Sequence, residues 1–266
     1  MSECEWDRQR AHIIMFSGGI CSWATARRVA DKYRPRDLRL LFADTLMEHE
    51  DLYRFLDDAA ASIGVPITRV AEGRTPWQVF QDVRYLGNTR ADPCSRILKR
   101  ELLRRWLDNN CDPAFTTVYL GYDWSEVHRA ERAASYWSPW HVESPMTDRP
   151  YLNRTDMIND LRALGIRPPR LYELGFAHNN CGGFCIKQGQ AGFANLLRHF
   201  PARYAEHERQ EEALRQSLGK DVAILRDRRG GQTRPLTLRD LREQIESGCA
   251  IDMFDIGGCA CFEEPL

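Results

Sequence analysis

Two groups of residues in this sequence have the side chains and spacing that chemistry requires: a Ser-Gly-Gly turn near the N-terminus and a scattered set of cysteines. Ser17-Gly18-Gly19 follows the apolar run 12–15 and precedes a helix-like stretch, 23–30. In such a strand–turn–helix unit, glycines let the backbone approach phosphate oxygens, and the helix N-terminus presents unpaired N–H groups to them. Ser17 and Ser22 add hydroxyl donors. The turn therefore predicts a phosphate site, with an ordinary strand-to-helix turn as the alternative.

The cysteines point to a second chemistry. Cys181 and Cys185 flank a Gly-Gly-Phe loop, and this spacing suits two ligands of one metal ion or iron–sulfur cluster. Cys94 precedes a basic helix, whose N-terminus and cations would lower the pKa of its thiol. Zinc and iron–sulfur remain open at this point, because the spacing suits both.

The remaining cysteines divide into two groups. Cys4, Cys21 and Cys111 are interpreted as small packing or surface residues. Three more thiols lie near the C-terminus and are candidates for a further ligand: Cys249, Cys259 and Cys261.

Composition limits the class of protein. The chain has 266 residues, 43% of them hydrophobic, which is enough for a substantial core in one large or two small domains. A formal net charge of −1 gives no overall bias towards nucleic acid, although local bias is compatible with it. The apolar stretches are too short to span a membrane and the charged N-terminus is unlike a signal peptide. We therefore expect a soluble, cytoplasmic protein without membrane association, in which structural disulfides are not expected.

Strand-like and helix-like segments alternate through the first 150 residues, which predicts an α/β fold with a Rossmann-like parallel sheet flanked by helices. The predicted strands are 12–15, 38–43, 67–70, 116–121 and 141–144, and the predicted helices are 23–30, 50–63, 96–107 and 125–136. Ligands of such sheets bind beyond the carboxyl ends of the strands. The Ser17 turn, Asp44 and Gly121 all follow strands, so we expect them to share one cleft.

After residue 150 the predicted secondary structure becomes mainly helical, with the cysteine-bearing loop among the helices. The predicted helices there are 156–164, 190–200, 201–218 and 238–247, and 222–226 is a predicted strand. We therefore predict a nucleotide-binding domain over residues 1–150 and a cysteine-bearing extension over residues 151–266 that packs on it.

Four segments in this order resemble the PP-loop superfamily, and within it the phosphoadenosine phosphosulfate (PAPS) reductase-like branch. They are the turn 17–22, similar to the family's SGGxDS loop; Asp44-Thr45, similar to its DTG segment; Cys94-Ser95-Arg96, similar to its cysteine–arginine–lysine motif; and 121–129, similar to its G…E..R segment. Cys181 and Cys185 fall where cluster-binding members carry a second cysteine pair.

The resemblance, which covers about residues 12–190, implies a PP-loop fold and assigns roles to residues. The implied nucleotide-binding residues are Ser17, Gly18, Gly19, Cys21, Ser22, Asp44, Thr45, Gly121 and Glu126. The implied cluster or metal ligands are Cys94, Cys181, Cys185 and Cys261. The implied catalytic residues are Cys94, Arg129 and Cys261.

Several of these roles have simpler alternatives. Asp44 can bind ribose or Mg²⁺ or simply cap the next helix. Glu126 and Arg129 have the spacing of a surface ion pair. The basic run from Arg96 to Arg105 is either a solvated face or a contact for a polyanion. The tryptophans at 124, 137 and 140 are more typical of a core than of a base-stacking surface.

The chain also departs from the family pattern. Cys21 replaces an aspartate that would help to hold Mg²⁺, and the C-terminal cysteine motif of the reductases is absent, although Cys259 or Cys261 can stand in for it. The missing Mg²⁺ ligand weakens the case for metal-assisted adenylation, and the departures together weaken the literal PAPS reductase interpretation. They leave room for the function that we predict: a relative that binds ATP, adenylates an acceptor such as a nucleic acid or nucleotide, and inserts sulfur with a [4Fe–4S] cluster. The alternatives are a PAPS or APS reductase-type enzyme and a zinc-stapled nucleotide-binding module without turnover. The implied partners are an adenine nucleotide with Mg²⁺, a nucleic-acid substrate, and a cysteine desulfurase or thioredoxin-like protein.

Overall fold

The computed structural model describes residues 10–33, 37–88, 91–255, 257–258 and 262. Cys4, Cys259 and Cys261 therefore lie outside the described residues. No helix in the described part has the length and apolar character needed to cross a membrane.

Strands of three to eight residues form a five-stranded parallel sheet, as the alternating pattern predicts. Its spatial order is β3-β2-β1-β4-β5, with Ile14 of β1 paired to Leu40 and Tyr119 of its two neighbours. The strands are β1 (Ala11–Met15), β2 (Asp37–Asp44), β3 (Ile67–Ala71), β4 (Thr116–Tyr119) and β5 (His141–Glu143). The α/β prediction with a Rossmann-like sheet is confirmed.

Helices cover the sheet and build the C-terminal region. In chain order they are α1 (Ile20–Tyr33), α2 (Glu50–Ile63), α3 (Pro76–Asp82), α4 (Leu102–Asn110), α5 (Val127–Tyr136), α6 (Arg154–Ala163), α7 (Arg170–Glu173), α8 (Gln190–His199), α9 (Pro201–Leu218) and α10 (Leu238–Glu246). A two-stranded antiparallel sheet pairs β6 (Leu225–Asp227) with β7 (Arg234–Leu236). Short 3₁₀ turns cover Pro113–Phe115, Trp124–Glu126, Pro145–Thr147, Cys181–Gly183 and Arg229–Gly231.

The structure does not contain the basic helix 96–107 as one continuous α-helix. A short turn, Pro93–Ser95, leads into a π-helical stretch, Arg96–Glu101, before α4 begins. Lys99 and Arg100 are buried, and Arg100 pairs with buried Asp92 at 3.4 Å. This part of the basic run is therefore neither a solvated face nor an open surface for a polyanion, because its charges are used inside the protein.

The cores do not divide at residue 150. One apolar cluster joins α1 and α2 to Met157 and Leu161 of α6. The cluster under the C-terminal helices includes Trp77 and Phe80 of α3. The predicted boundary between residues 150 and 151 stays a prediction.

Candidate active site

A cleft opens between the carboxyl ends of β1 and β4, the two strands from which the sheet order runs in opposite directions. Ligands of open α/β sheets bind at this switch point. The turn after β1 and the loop after β4 contact each other there. A Cβ on Gly121 would lie 2.8 Å from the backbone nitrogen of Ser22, so only glycine permits this approach.

The cleft is a cavity of about 280 Å³ whose lining combines predicted and unpredicted residues. The predicted residues that line it are Ser17, Gly19, Cys21, Ser22, Gly121, Glu126 and Arg129. Sequence reasoning missed Tyr122, Asp123, Ser125, Arg154, Met157, Tyr172, Phe262 and the run 177–180. The pattern offered no signal for Arg154 or Tyr172, which come from helices distant in sequence.

The first turn of α1 presents backbone N–H groups and hydroxyls of the kind that suit an anion. Its first intrahelical bond runs from the Trp23 N–H to the Gly19 carbonyl, so the N–H groups of residues 20–22 have no partner within the helix. The phenol oxygen of Tyr172 accepts from the Ile20 N–H at 3.2 Å. Ser22 donates its hydroxyl to the Gly19 carbonyl at 2.8 Å, and Ser17 donates to the Ser22 hydroxyl at 3.3 Å.

Charges of both signs line the cleft. Arg129 pairs with Glu126 and lies over the Tyr122 ring, and Arg154 lies over the Tyr172 ring. Burial raises the pKa of the Cys21 thiol far above its usual range, and the nearby carboxylates of Asp123 and Glu126 raise it further. Cys21 is therefore a neutral thiol, and the carboxylates that could hold Mg²⁺ in this cleft are those of Asp123 and Glu126.

Asp44 and Thr45 do not line this cleft. Asp44 is buried, accepts from the Leu46 N–H at 2.8 Å and pairs with Arg69. Thr45 donates its hydroxyl to Glu48 at 2.9 Å. His49, rather than Asp44, caps α2 by accepting from the Asp51 N–H.

The cysteine loop, residues 181–185, lies beside the glycine turn. Asn179, two residues before Cys181, donates its amide to the Gly18 carbonyl at 2.8 Å from a buried position. Asn180 lines the cleft itself. The chain from 179 to 181 thus connects the glycine turn directly to the first thiol of the loop.

Three of the predicted ligands lie within electrostatic reach of one another. Burial raises the pKa of the Cys181 thiol well above its usual value, the Glu48 carboxylate and the thiols of Cys185 and Cys94 raise it further, and Lys99 opposes the shift. Burial likewise raises the pKa of Glu48. Within the described ranges, no group of three or more histidine, cysteine, aspartate or glutamate side chains is arranged to hold a metal ion.

The loop backbone is strained and held by distant residues. Cys181 has φ of 50°, a left-handed conformation that is uncommon outside glycine and concentrates at functional sites. The Cys181 N–H donates to Glu48, Arg203 donates to the Gly182 carbonyl at 2.9 Å, and Gln188 donates to the Gly183 carbonyl at 3.0 Å. These contacts hold the loop in its strained conformation.

A second cavity, of about 320 Å³, borders the loop on its other side. Cys185 lines it, and Ala177, His178 and Asn180 line both cavities. These three residues therefore form a wall that is shared by the glycine-turn cleft and the cavity lined by Cys185.

Described residues near the C-terminus contact both the loop and the cleft. Gly258 donates its N–H to the Lys187 carbonyl at 3.0 Å, and Trp137 donates its indole N–H to the Phe262 carbonyl at 3.0 Å. Phe262 lines the cleft. Cys261, predicted as a ligand and catalytic residue, precedes Phe262 but lies outside the described residues.

The part of the chain that carries most of the cleft matches a known protein family. Residues 11–137 match the family model of the phosphoadenosine phosphosulfate reductase domain. Among curated proteins, none matches the chain. The matched segment includes the glycine turn, Cys94 and Arg129 and ends before Arg154 and the cysteine loop.

Proposed function

Because residues 11–137 form a phosphoadenosine phosphosulfate reductase domain, a member of the PP-loop superfamily, we propose that this protein is an ATP-dependent sulfur-transfer enzyme. The family is one of nucleotide-binding enzymes of sulfur chemistry. The single observation that carries the proposal is the bond from Asn179 to the Gly18 carbonyl, since it brings the cysteine loop to the phosphate-binding turn.

In the proposed complex, the first-turn amides of α1 and the hydroxyls of Ser17 and Ser22 bind the phosphates of ATP. Arg129 and Arg154 neutralise charge, because a guanidinium meets phosphate oxygens in a bidentate manner. Mg²⁺ would be held by Asp123 and Glu126 rather than at position 21. The neutral Cys21 thiol adds no negative charge next to the phosphates.

The first chemical step is adenylation. An oxygen of the acceptor, a nucleic acid or nucleotide, attacks the α-phosphorus, and the bond to the bridging oxygen breaks. Pyrophosphate leaves with that electron pair, and the acceptor becomes an AMP ester. Cations already in place stabilise the developing charge on the leaving group without reorganisation.

The second step replaces oxygen by sulfur. Hydrosulfide attacks the activated carbon, the carbon–oxygen bond breaks, and AMP leaves with the electron pair. Atoms and electrons balance without an added oxidant or reductant. Sulfide would arrive from the side of Cys185, through the cavity that shares a wall with the nucleotide cleft.

The thiols suit a cluster in donor type, since thiolates are the ligands of iron–sulfur centres. Cys94, Cys181 and Cys185 would hold a [4Fe–4S] cluster with one open iron, and such a cluster, when bound, supplies that iron as a site for sulfide. Cys261 is the alternative fourth ligand, which would close the cluster. Lys99 near these thiols would offset the negative charge of their ionised form. Zinc is the alternative metal.

The test is metal and acid-labile sulfide content after oxygen-free purification, followed by pyrophosphate release from ATP. The Cys181→Ser variant should lose iron and sulfide, whereas Cys111→Ser, at a thiol outside both cavities, should keep them. Full iron retention in Cys181→Ser removes Cys181 from the ligand set. If the protein contains zinc but no acid-labile sulfide, and does not turn over ATP, the result would instead favour a zinc-stapled nucleotide-binding module.

The family match itself favours one second candidate, a PAPS or APS reductase-type enzyme. In that reaction a cysteine thiolate attacks the sulfate sulfur, and a thioredoxin-like partner regenerates the thiol. Sulfite release from PAPS with reduced thioredoxin, without pyrophosphate release from ATP, would select the reductase.

A further inference from the structure

An exposed pair of aromatic rings is carried by segments that line the glycine-turn cleft. Trp124 is 46% exposed and Tyr151 is 52% exposed, and their ring centroids are 5.9 Å apart. Large aromatic side chains usually bury most of their surface, so an exposed pair in contact calls for a reason. Trp137 and Trp140, by contrast, are buried, as expected of core residues.

The pair belongs to the same elements that build the cleft. Trp124 lies between Asp123 and Ser125, both of which line the cleft. Tyr151 precedes α6, whose first residue, Arg154, lines it as well. A ligand on these rings therefore lies next to the bound nucleotide.

Three polar groups of this surface have no hydrogen-bond partner among the described residues. The Arg149 guanidinium lies over the Tyr151 ring at 5.4 Å and has no hydrogen bond or ion pair with any described residue. The Trp124 indole N–H and the Tyr151 hydroxyl also lack hydrogen-bond partners among the described residues.

The flat apolar faces suit a base that stacks on them, and the guanidinium, which has no partner among the described residues, suits an anionic phosphate. A ligand that carries both groups is a nucleic acid. From this we infer that Trp124, Tyr151 and Arg149 form a stacking platform for single-stranded nucleic acid. Every base has a π-face, so the platform requires no particular sequence. This inference rests on the proposed function, for which it supplies the docking surface of the sulfur acceptor.

The experiment measures binding of a labelled single-stranded oligonucleotide of about 12 nucleotides, as RNA and as DNA, by fluorescence anisotropy at low salt. Trp124→Ala and Tyr151→Ala should each weaken binding about tenfold or more, because one stacked base contributes that much. Arg149→Gln should reduce the slope of log affinity against log salt by about 0.7, the value for one phosphate contact on a single strand.

The matched control is Phe115→Ala. Phe115 is 58% exposed but lies before the first residue of β4, at the opposite end of the strand that leads to Trp124. Its loss should leave oligonucleotide affinity unchanged. Absence of saturable oligonucleotide binding, or equal affinity in Trp124→Ala and the wild type, overturns the platform and leaves a protein partner as the occupant to seek.

ATP binding by the same variants separates the two proposals. The platform variants should bind ATP as the wild type does. Loss of the platform effect with intact pyrophosphate release refutes only the platform. Oligonucleotide binding that depends on Trp124 in a protein that neither binds nor cleaves ATP refutes only the proposed function.

Discussion

The glycine turn and the cysteine loop lie side by side, but they are held in opposite ways. The turn joins β1 directly to α1 and, apart from contacts with Asn179 and Tyr172, leaves its backbone amides facing a cavity. The loop has no such regular elements on either side and is held by side chains that include Glu48 and Arg203 from distant elements. Variants of the loop should therefore change stability, whereas variants of the turn should change ligand affinity.

The aromatic support under the loop extends this contrast. Phe184 stacks on His207 at a centroid distance of 3.8 Å, and His207 accepts from the Trp77 indole N–H at 2.9 Å. Burial lowers the pKa of His207 to about 3, so the ring is neutral. Phe184 of the loop thus belongs to a closed core, whereas the turn lines an open cleft.

The largest effect is expected from Gly182→Ala. Gly182 has φ of 61°, and a Cβ there would overlap the Arg203 guanidinium, which holds the loop. Strain and overpacking together should lower the free energy of unfolding by about 3 kcal/mol or more, measured by urea denaturation.

Gly219→Ala is the control for that change. Gly219 has nearly the same φ, 60°, but open space around its Cα. Its cost should be about 1 kcal/mol, from backbone conformation alone. Equal costs at both glycines would mean that the contact with Arg203 does not constrain the loop.

Replacing His207 by Phe should lower the free energy of unfolding by about 2 kcal/mol at pH 7, because the Trp77 N–H loses its acceptor. This cost should shrink towards zero near pH 5. Below pH 6.5 the unfolded histidine binds a proton that the folded one does not, so the wild type loses stability as pH falls towards the folded pKa, and the variant does not. Urea denaturation at the two pH values provides the check; a cost independent of pH would contradict a buried neutral ring.

Arg154→Gln tests the turn side of the comparison. Removal of one charge-assisted contact to phosphate should weaken ATP binding about tenfold with little change in stability, measured by calorimetry. Arg27→Gln is the matched control, since Arg27 lies on α1 but contacts Ser62 and Asp31 rather than the cleft. A similar loss of affinity in both variants would indicate a general effect of charge.

The smallest effect is expected at Tyr172, whose hydroxyl oxygen accepts a hydrogen bond from the Ile20 N–H. Tyr172→Phe releases that amide for a phosphate oxygen, so ATP affinity should rise by about two- to threefold. Weaker binding would show instead that the hydroxyl itself contacts the nucleotide.

Local rules explain what the sequence could predict. The alternation of apolar runs and helical periods was sufficient for the sheet, and the Ser17 turn and Gly121 were placed correctly at adjacent strand ends. The helix α3 was missed although Thr75 and Gln78 form a capping box with proline at the first helical position. That start signal was present in the sequence.

Long-range contacts explain what it could not predict. Arg154 and Tyr172 reach the cleft from α6 and α7, and no spacing along the chain links them to the turn. Asp44 follows a strand, as the cleft residues do, but its carboxylate accepts from Leu46 and pairs with Arg69. Burial of Lys99 and Arg100 likewise depends on partners outside their own helix.

The most direct test of the account is a crystal structure of anaerobically prepared protein with a non-hydrolysable ATP analogue, using anomalous data at the iron edge. The account predicts phosphate density at residues 17–22 and an iron signal bounded by Cys94, Cys181 and Cys185, on the same side of the sheet. Phosphates bound elsewhere, or iron distant from the turn, would contradict it.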